Sequence, residues 1–412
     1  MLESIFRNKN NFSYQLSCSL GCLLLVLQIG LNASADLTQY NKINQKLKSW
    51  DLNDVSILYP LPTAEQLGKD DSFIYFTSTS NPRTKFSSFV LPQDLLQHIP
   101  ALIIPHSLEE IQASLQVVAI RIDPCFLEGD TVPYRCQKQV RFVWQPIEVG
   151  RRQQVVALDA ALHSFYLLTD QQFSFLLLNL QKLKSEYLYN SNGQPLFIHS
   201  GLTRNLSYRK SLSNLFLSVA NTNNLIRVTS MGLRGAGDMW TFQSFAYHND
   251  QLTAEVIPRI QFATMQTFMN SAIPATSFDG GSLDPMPEGT DTFNELMLGS
   301  IELPENKILM QKQMQSILNI ENPLKHNPKT IDCVSCHVAG PAKIWSLSSG
   351  LDWLDFVKNN SYQNSNYNLT NPTEFYINTQ RLRAFGYSDS LPIISQRVIN
   401  ESAVVATYLN SL

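Results

Sequence analysis

Apolar and polar positions along the chain fall into two regimes. From residue 36 to about 270, short runs rich in β-branched and aromatic residues alternate with short amphipathic ones. "VSILYPL" (55–61), "SFIYFTS" (72–78), "QVVAIRI" and "QVRFVWQPI" predict strands. "PQDLLQHI" and "SLEEIQASL" predict short helices. The second opens on Ser107 with Glu110 three residues on, the pattern of a capping box. Residues 155–185 predict mostly helix by periodicity. "NLIRVTSM", "MWTFQSFAY" and "QLTAEVIPRIQFATM" predict further strands, with His248–Asp250 turning between the last two.

The pattern changes at 271–302. "SAIPATSFDGGSLDPMPEGTDT" has the Ser, Gly, Pro and Asp content of a loop or linker, and a domain boundary is expected there. Beyond it, "ENKILMQKQMQSILNI", "GLDWLDFVKN" and "ISQRVINESAVVATYLNSL" predict helices. The Asn-rich stretch 359–373 predicts an exposed loop. The expected class is α+β: a mixed domain with antiparallel sheet over 36–270, then an all-α domain over 303–412. No repeat of 20–50 residues is visible, which argues against solenoids and propellers.

Residues 1–35 read as a secretory signal. Arg7 and Lys9 precede an apolar run from Leu16 to Leu31, and Ala33 and Ala35 offer a small-x-small cleavage site. An uncleaved anchor is the alternative, but the run is short for a membrane span, and no later stretch is apolar enough to cross a bilayer. A periplasmic or secreted protein is expected. The net charge of −3 supplies no basic field for nucleic acid.

Export bears on the cysteines. Cleavage would remove Cys18 and Cys22 and leave Cys125, Cys136, Cys333 and Cys336. Cys125 and Cys136 flank a polar loop between two predicted strands, and an oxidising compartment favours a disulfide between them.

The other pair stands in "DCVSCH", Asp332 to His337. Two cysteines separated by two residues can each form a thioether to a haem vinyl group. The His that follows then reaches the iron from one face, so C-x-x-C-H reads as c-type haem attachment. A zinc site would need more donors than the motif holds, since no second C-x-x-C or H-x-x-x-H is present. A thioredoxin-like centre would need a βαβ setting. A plain Cys333–Cys336 disulfide remains an alternative.

With its leading helix, CVSCH and the closing stretch "RVINESAVVATYLN", the segment 305–412 resembles a monohaem cytochrome c domain. The resemblance covers about a quarter of the chain. It implies one covalent haem c on Cys333 and Cys336, His337 as proximal ligand, and a redox partner protein. It also suggests the Pro341 carbonyl as acceptor for the His337 ring N–H. Arg381 and Arg383, in "QRLRAFGY", are candidates to pair the propionates. In that family a downstream Met commonly fills the sixth iron position, whereas here neither Met nor His follows His337. The iron is then open, or bound by Tyr387, or by an upstream residue: Met286 in "DPMPEG", His326, Met310 or Met314. Met310 and Met314 stand four apart on a helix, a spacing that also suits core packing.

Two functions follow. One is electron transfer through a six-coordinate haem; the other is a haem enzyme or sensor with an open or Tyr-ligated iron. A non-haem envelope protein with a structural C-x-x-C disulfide is the third reading. "GLRGAG" (232–237) precedes a strand, not a helix, so it fails as a dinucleotide loop. His98, His106, His163, His199 and His248 are scattered without metal-ligand spacing.

Overall fold

A ten-stranded antiparallel sheet organises the chain. The computed structural model describes residues 49–76, 89–99, 107–128, 135–191, 193–234, 239–269, 282–301, 306–374 and 382–412. The signal segment and Arg381 lie outside the described residues.

Helix α1 (Leu52–Val55) leads into β1 (Ser56–Leu58), and α2 (Leu108–Ser114) runs straight into β2 (Leu115–Glu128). The strands β3 (Arg135–Val149), β4 (Val155–Ala157) and β5 (Ala160–Leu167) follow. Next come α3 (Asp170–Glu186), α4 (Ser200–Arg204) and α5 (Leu206–Leu217). The sheet continues through β6 (Leu225–Arg234), β7 (Met239–His248), β8 (Gln251–Ala254), β9 (Met265–Met269) and β10 (Ser282–Asp284). Then follow α6 (Phe293–Ile301), α7 (Lys307–Glu321), α8 (Cys333–Leu347) and α9 (Leu354–Asn360). The hairpin β11 (Phe385–Ser388) and β12 (Leu391–Ile394) precedes the last helix, α10 (Gln396–Ser411). Spatial order in the large sheet is β1-β2-β3-β5-β6-β7-β9-β10, with β4 against β3 and β8 against β7.

Local chemistry explains the starts and turns. Ser107 and Glu110 form the expected capping box, and Thr169 with Gln172 forms another on α3. Asn249 and Asp250 take positive φ in the two-residue turn between β7 and β8, where Asn and Asp are tolerated. The Cys125–Cys136 disulfide is formed, with Cα atoms 4.3 Å apart, and ties β2 to β3 at one end of their ladder.

The two faces of the sheet are covered differently. One face carries Ile120, Ile122, Val140, Phe142, Trp144 and Tyr166 into a core with α3 and α5, where Phe142 meets Phe216 edge-on at 6.3 Å. The other face packs in two separate apolar clusters. The first joins Ala161, Met231, Phe242 and Phe268 to α6, α7 and α8. The second joins Val118, Val143 and Tyr387 to α10.

Three expectations are corrected. Residues 155–167 form β4 and β5, not helix, and helix begins only at Asp170. "VVALDAALHSFYLL" is apolar at most positions because β5 is central and covered on both faces, so periodicity cannot tell it from a buried helix. Residues 303–412 are not all helical, because β11 pairs with β12 around Asp389 at φ 53°. Gln145 exchanges two hydrogen bonds with the Tyr387 backbone and so holds β11 on β3. A Cβ at Gly386 would collide with that same amide oxygen. Finally, the described part of the expected linker 271–302 contributes β10 and α6, and Trp50–Leu412 group into one compact unit.

Replacing Cys125 and Cys136 together by Ser is expected to cost roughly 2–3 kcal/mol. The check is a lower urea midpoint. An unchanged midpoint would show that the cross-link contributes nothing.

Candidate functional site

Strand register builds the floor of a polar concavity over the sheet. Arg121 stands opposite Arg141, Arg141 opposite Phe165, and Phe165 opposite Arg227. Two residues further along the strands, Val143, His163, Thr229 and Ser244 form a parallel row. Side chains two apart on a strand share a face, and residues of both rows line one cavity of about 200 Å³. A single water needs only about 10–15 Å³ on such a measure, so the space suits a larger guest.

The roof comes from α8 and α10. Asp332 caps α8, accepting from the Ser335 N–H at 3.0 Å. Gln266, on β9, donates to the same Asp332 oxygen at 2.9 Å and accepts from the Val334 N–H at 3.1 Å. Val334, Val338 and Ala342 recur at helical spacing and are buried against the sheet-side cluster. This docking turns Cys333, Cys336 and His337 to the cavity. Arg397 and Glu401, one turn apart on α10, line it from the other side.

Charge inside the cavity is dense. Glu401 meets Arg121 at 2.7 Å and Arg397 at 2.8 Å. Burial alone would raise its carboxyl, but Arg397, then Arg121 and Arg141, hold it at about 2. Arg227 grips Glu255 with two hydrogen bonds, at 2.6 and 2.8 Å. Arg141 meets Asp123 at 3.2 Å, while its Nε is buried without a hydrogen-bond partner. Arg121, Arg141, Arg227, Lys329 and Arg397 line the cavity against only Glu255, Asp332 and Glu401. Even with Asp123 counted from behind Arg141, cations remain in excess.

The motif residues are neutral in this setting. Burial, then the nearby Arg383, lowers His337 to about 4. Burial pushes the Cys336 thiol up to about 11 and the Cys333 thiol higher still. Both are free thiols, so the Cys333–Cys336 disulfide is not formed. The His337 ring packs against Phe242 with centroids 5.3 Å apart, and its Nδ1 is buried without a partner. The bond expected from that ring to the Pro341 carbonyl is therefore not made. Pro341 itself lies inside α8, where it cannot supply the helical N–H for the His337 carbonyl.

The remaining sequence candidates are placed elsewhere. The Tyr387 hydroxyl donates to the Tyr59 carbonyl, and its ring is 1% exposed in the α10 cluster. Met286 is 43% exposed after the cis Asp284–Pro285 bond and does not line the cavity. Arg383 pairs with Asp159 at 2.6 Å, donates to Tyr387 and Leu382 carbonyls, and lies over Trp240. It is tied to the fold rather than aimed into the cavity. His326 bridges Asp291 and Thr330, and Met310 and Met314 are core residues beside Trp353. Sequence reasoning missed His163, Arg121, Arg141, Arg227, Arg397 and Glu401. The first four carry a signal only once strand register is known.

No protein-family model, curated protein or solved structure matches this chain. Among the described residues, no three His, Cys, Asp or Glu side chains converge as a metal group, so a four-donor zinc set is not assembled. The donor set does fit a haem: two thiols and an imidazole turned to one cavity, with an unpartnered His337 nitrogen and one cation more than the carboxylates around it.

Two outcomes are expected. Gln266→Ala leaves Asp332 and the Val334 N–H short of buried partners and should cost about 1–3 kcal/mol in urea denaturation; no loss would mean that α8 docks without the clamp. Glu401 titrates at about 2 in the folded chain against an ordinary 4.5. The unfolded chain therefore takes up this proton first as pH falls. Its contribution, roughly 3 kcal/mol, is complete above about pH 5 and is lost between about pH 4.5 and 2. Glu401→Gln should destabilise at pH 6 and much less at pH 2.5; an equal loss at both would refute the assignment.

Proposed function

We propose that this chain is an exported c-type haem protein that carries one haem on Cys333, Cys336 and His337 and exchanges electrons with a partner protein. The observation that carries the reading is the convergence of these three residues on one cavity whose opposite wall is a row of arginines. The motif by itself fits several chemistries. The arginine row narrows them, because a haem brings two propionates that need cationic partners.

Each part of the cavity then has a task. Cys333 and Cys336 would hold the porphyrin through their sulfurs, and His337 would offer its imidazole to the iron. Arg121, Arg141 and Arg227 are the candidates to pair the propionates in place of Arg383, while Arg381 lies outside the described residues. Val143, Phe165, Phe385 and Val398 give the walls apolar patches that exclude water. A bound haem would supply one-electron exchange at its iron. The raised thiols speak against a thioredoxin-like centre, which works through a thiolate of lowered pKa. Attachment outside the cytoplasm agrees with the signal read in residues 1–35 and is compatible with the Cys125–Cys136 disulfide, which an oxidising compartment favours.

Cys333→Ala with Cys336→Ala, co-expressed with a c-type haem maturation system, should yield protein without covalent haem. Haem-stained denaturing electrophoresis reads the result. The wild-type chain should stain and the double variant should not. A wild-type chain without stain sinks the proposal, and so does a double variant that stains equally.

A further inference from the structure

We propose that His163 is the second axial ligand of the haem iron, reaching it from the sheet while His337 reaches it from α8. The inference rests on the reading of Cys333, Cys336 and His337 as the haem-attachment residues.

Placement is the first argument. His163 stands on β5 between Val143 and Thr229, in the row of the sheet floor that lines the cavity. His337 lines the same cavity from the helical layer. The two imidazoles thus belong to different walls of one space, which is what a planar group held between two axial nitrogens requires.

The second argument is elimination within the cavity. Met, His and Tyr are side chains that complete haem coordination. Among the described residues lining the space there is no Met and no Tyr, and His163 and His337 are its only imidazoles. Tyr387 has given its hydroxyl to Tyr59, and Met286 lies out on the surface.

The third argument concerns His163 itself. Among the described residues, neither of its ring nitrogens makes a hydrogen bond. His163 is half-buried and lines the cavity, so these nitrogens are open to whatever occupies that space. An imidazole nitrogen on the cavity lining offers a lone pair that a metal can take. Two imidazole ligands would leave the iron low-spin and closed to small ligands, which would suit electron transfer.

The test uses the full chain with a haem maturation system, as wild type, His163→Ala and His163→Gln. Covalent haem is read by denaturing electrophoresis, spin state by electron paramagnetic resonance, and access to iron by the optical spectrum under carbon monoxide. The wild type should be low-spin and unchanged by carbon monoxide. Both variants should keep covalent haem, become high-spin and bind carbon monoxide, and added imidazole should restore the low-spin spectrum. If neither variant accumulates, near-infrared magnetic circular dichroism of the wild type decides, because its charge-transfer band separates bis-imidazole from other axial pairs. A high-spin wild type overturns the assignment, as does a variant that stays low-spin or a band that is not bis-imidazole. A wild type without covalent haem overturns the haem reading itself, and this inference with it. Covalent haem with unaltered spin state in the variants overturns the inference alone.

Discussion

The site depends on a single side-chain amide. Gln266 reads both ends of a short polar problem at the start of α8: the capping carboxylate of Asp332 and the free N–H of Val334. A helix N-terminus buried against a sheet leaves unsatisfied donors, and a buried carboxylate needs donors of its own. One amide on β9 answers both needs and thereby sets where α8 meets the sheet. Cys333, Cys336 and His337 occupy the first turns of that helix, so their direction follows from the clamp. The apolar contacts of Val334, Val338 and Ala342 supply adhesion, but adhesion between smooth apolar surfaces is non-directional. The hydrogen bonds fix the register.

A second constraint is electrostatic. Arginines on one face of a sheet, at the rate of one per strand across β2, β3 and β6, repel one another and must be compensated. Glu401 and Glu255 each bind cations from separate parts of the chain. The compensation is incomplete, and the unmatched charge is concentrated at the cavity. A protein that needed only a stable core would be better served by apolar residues there, since buried ion pairs seldom improve on well-packed hydrocarbon. The surplus has a reason if the cavity receives an anionic guest.

How much of this could be read from the amino acids varies with the range of the interaction. Features set by neighbours in sequence were legible: the Ser107 capping box, the turn at Asn249 and Asp250, the Cys125–Cys136 disulfide, the α10 helix, and the C-x-x-C-H motif itself. Features set by register were not. His163 lies in a stretch that is apolar on both faces, so its period-two partners Ala161 and Phe165 are masked by buried neighbours, and helix is an equally good reading. Arg121, Arg141 and Arg227 are spread over more than 100 positions of sequence and share one row only because four strands, β2, β3, β5 and β6, align. Tyr387 failed for the opposite reason. An aromatic hydroxyl near a metal motif is chemically suitable, but a buried one takes the nearest carbonyl, and Tyr59 supplies it. The closing β11–β12 hairpin was also hidden, because its anchor is Gln145 on a strand far upstream.

The Arg121–Glu401 pair joins residues 280 positions apart. Its consequence is kinetic. The cavity has no partial form that a growing chain could hold, because one wall is translated early and the other arrives with the last helix. Contacts of such separation form late, after the entropy of closing a long loop has been met. The cysteines of α8 are therefore more reachable before α10 docks than after, when they are half-buried. On the proposed reading, covalent attachment is easiest in that interval, so the docking of α10 and the attachment of haem are coupled in time.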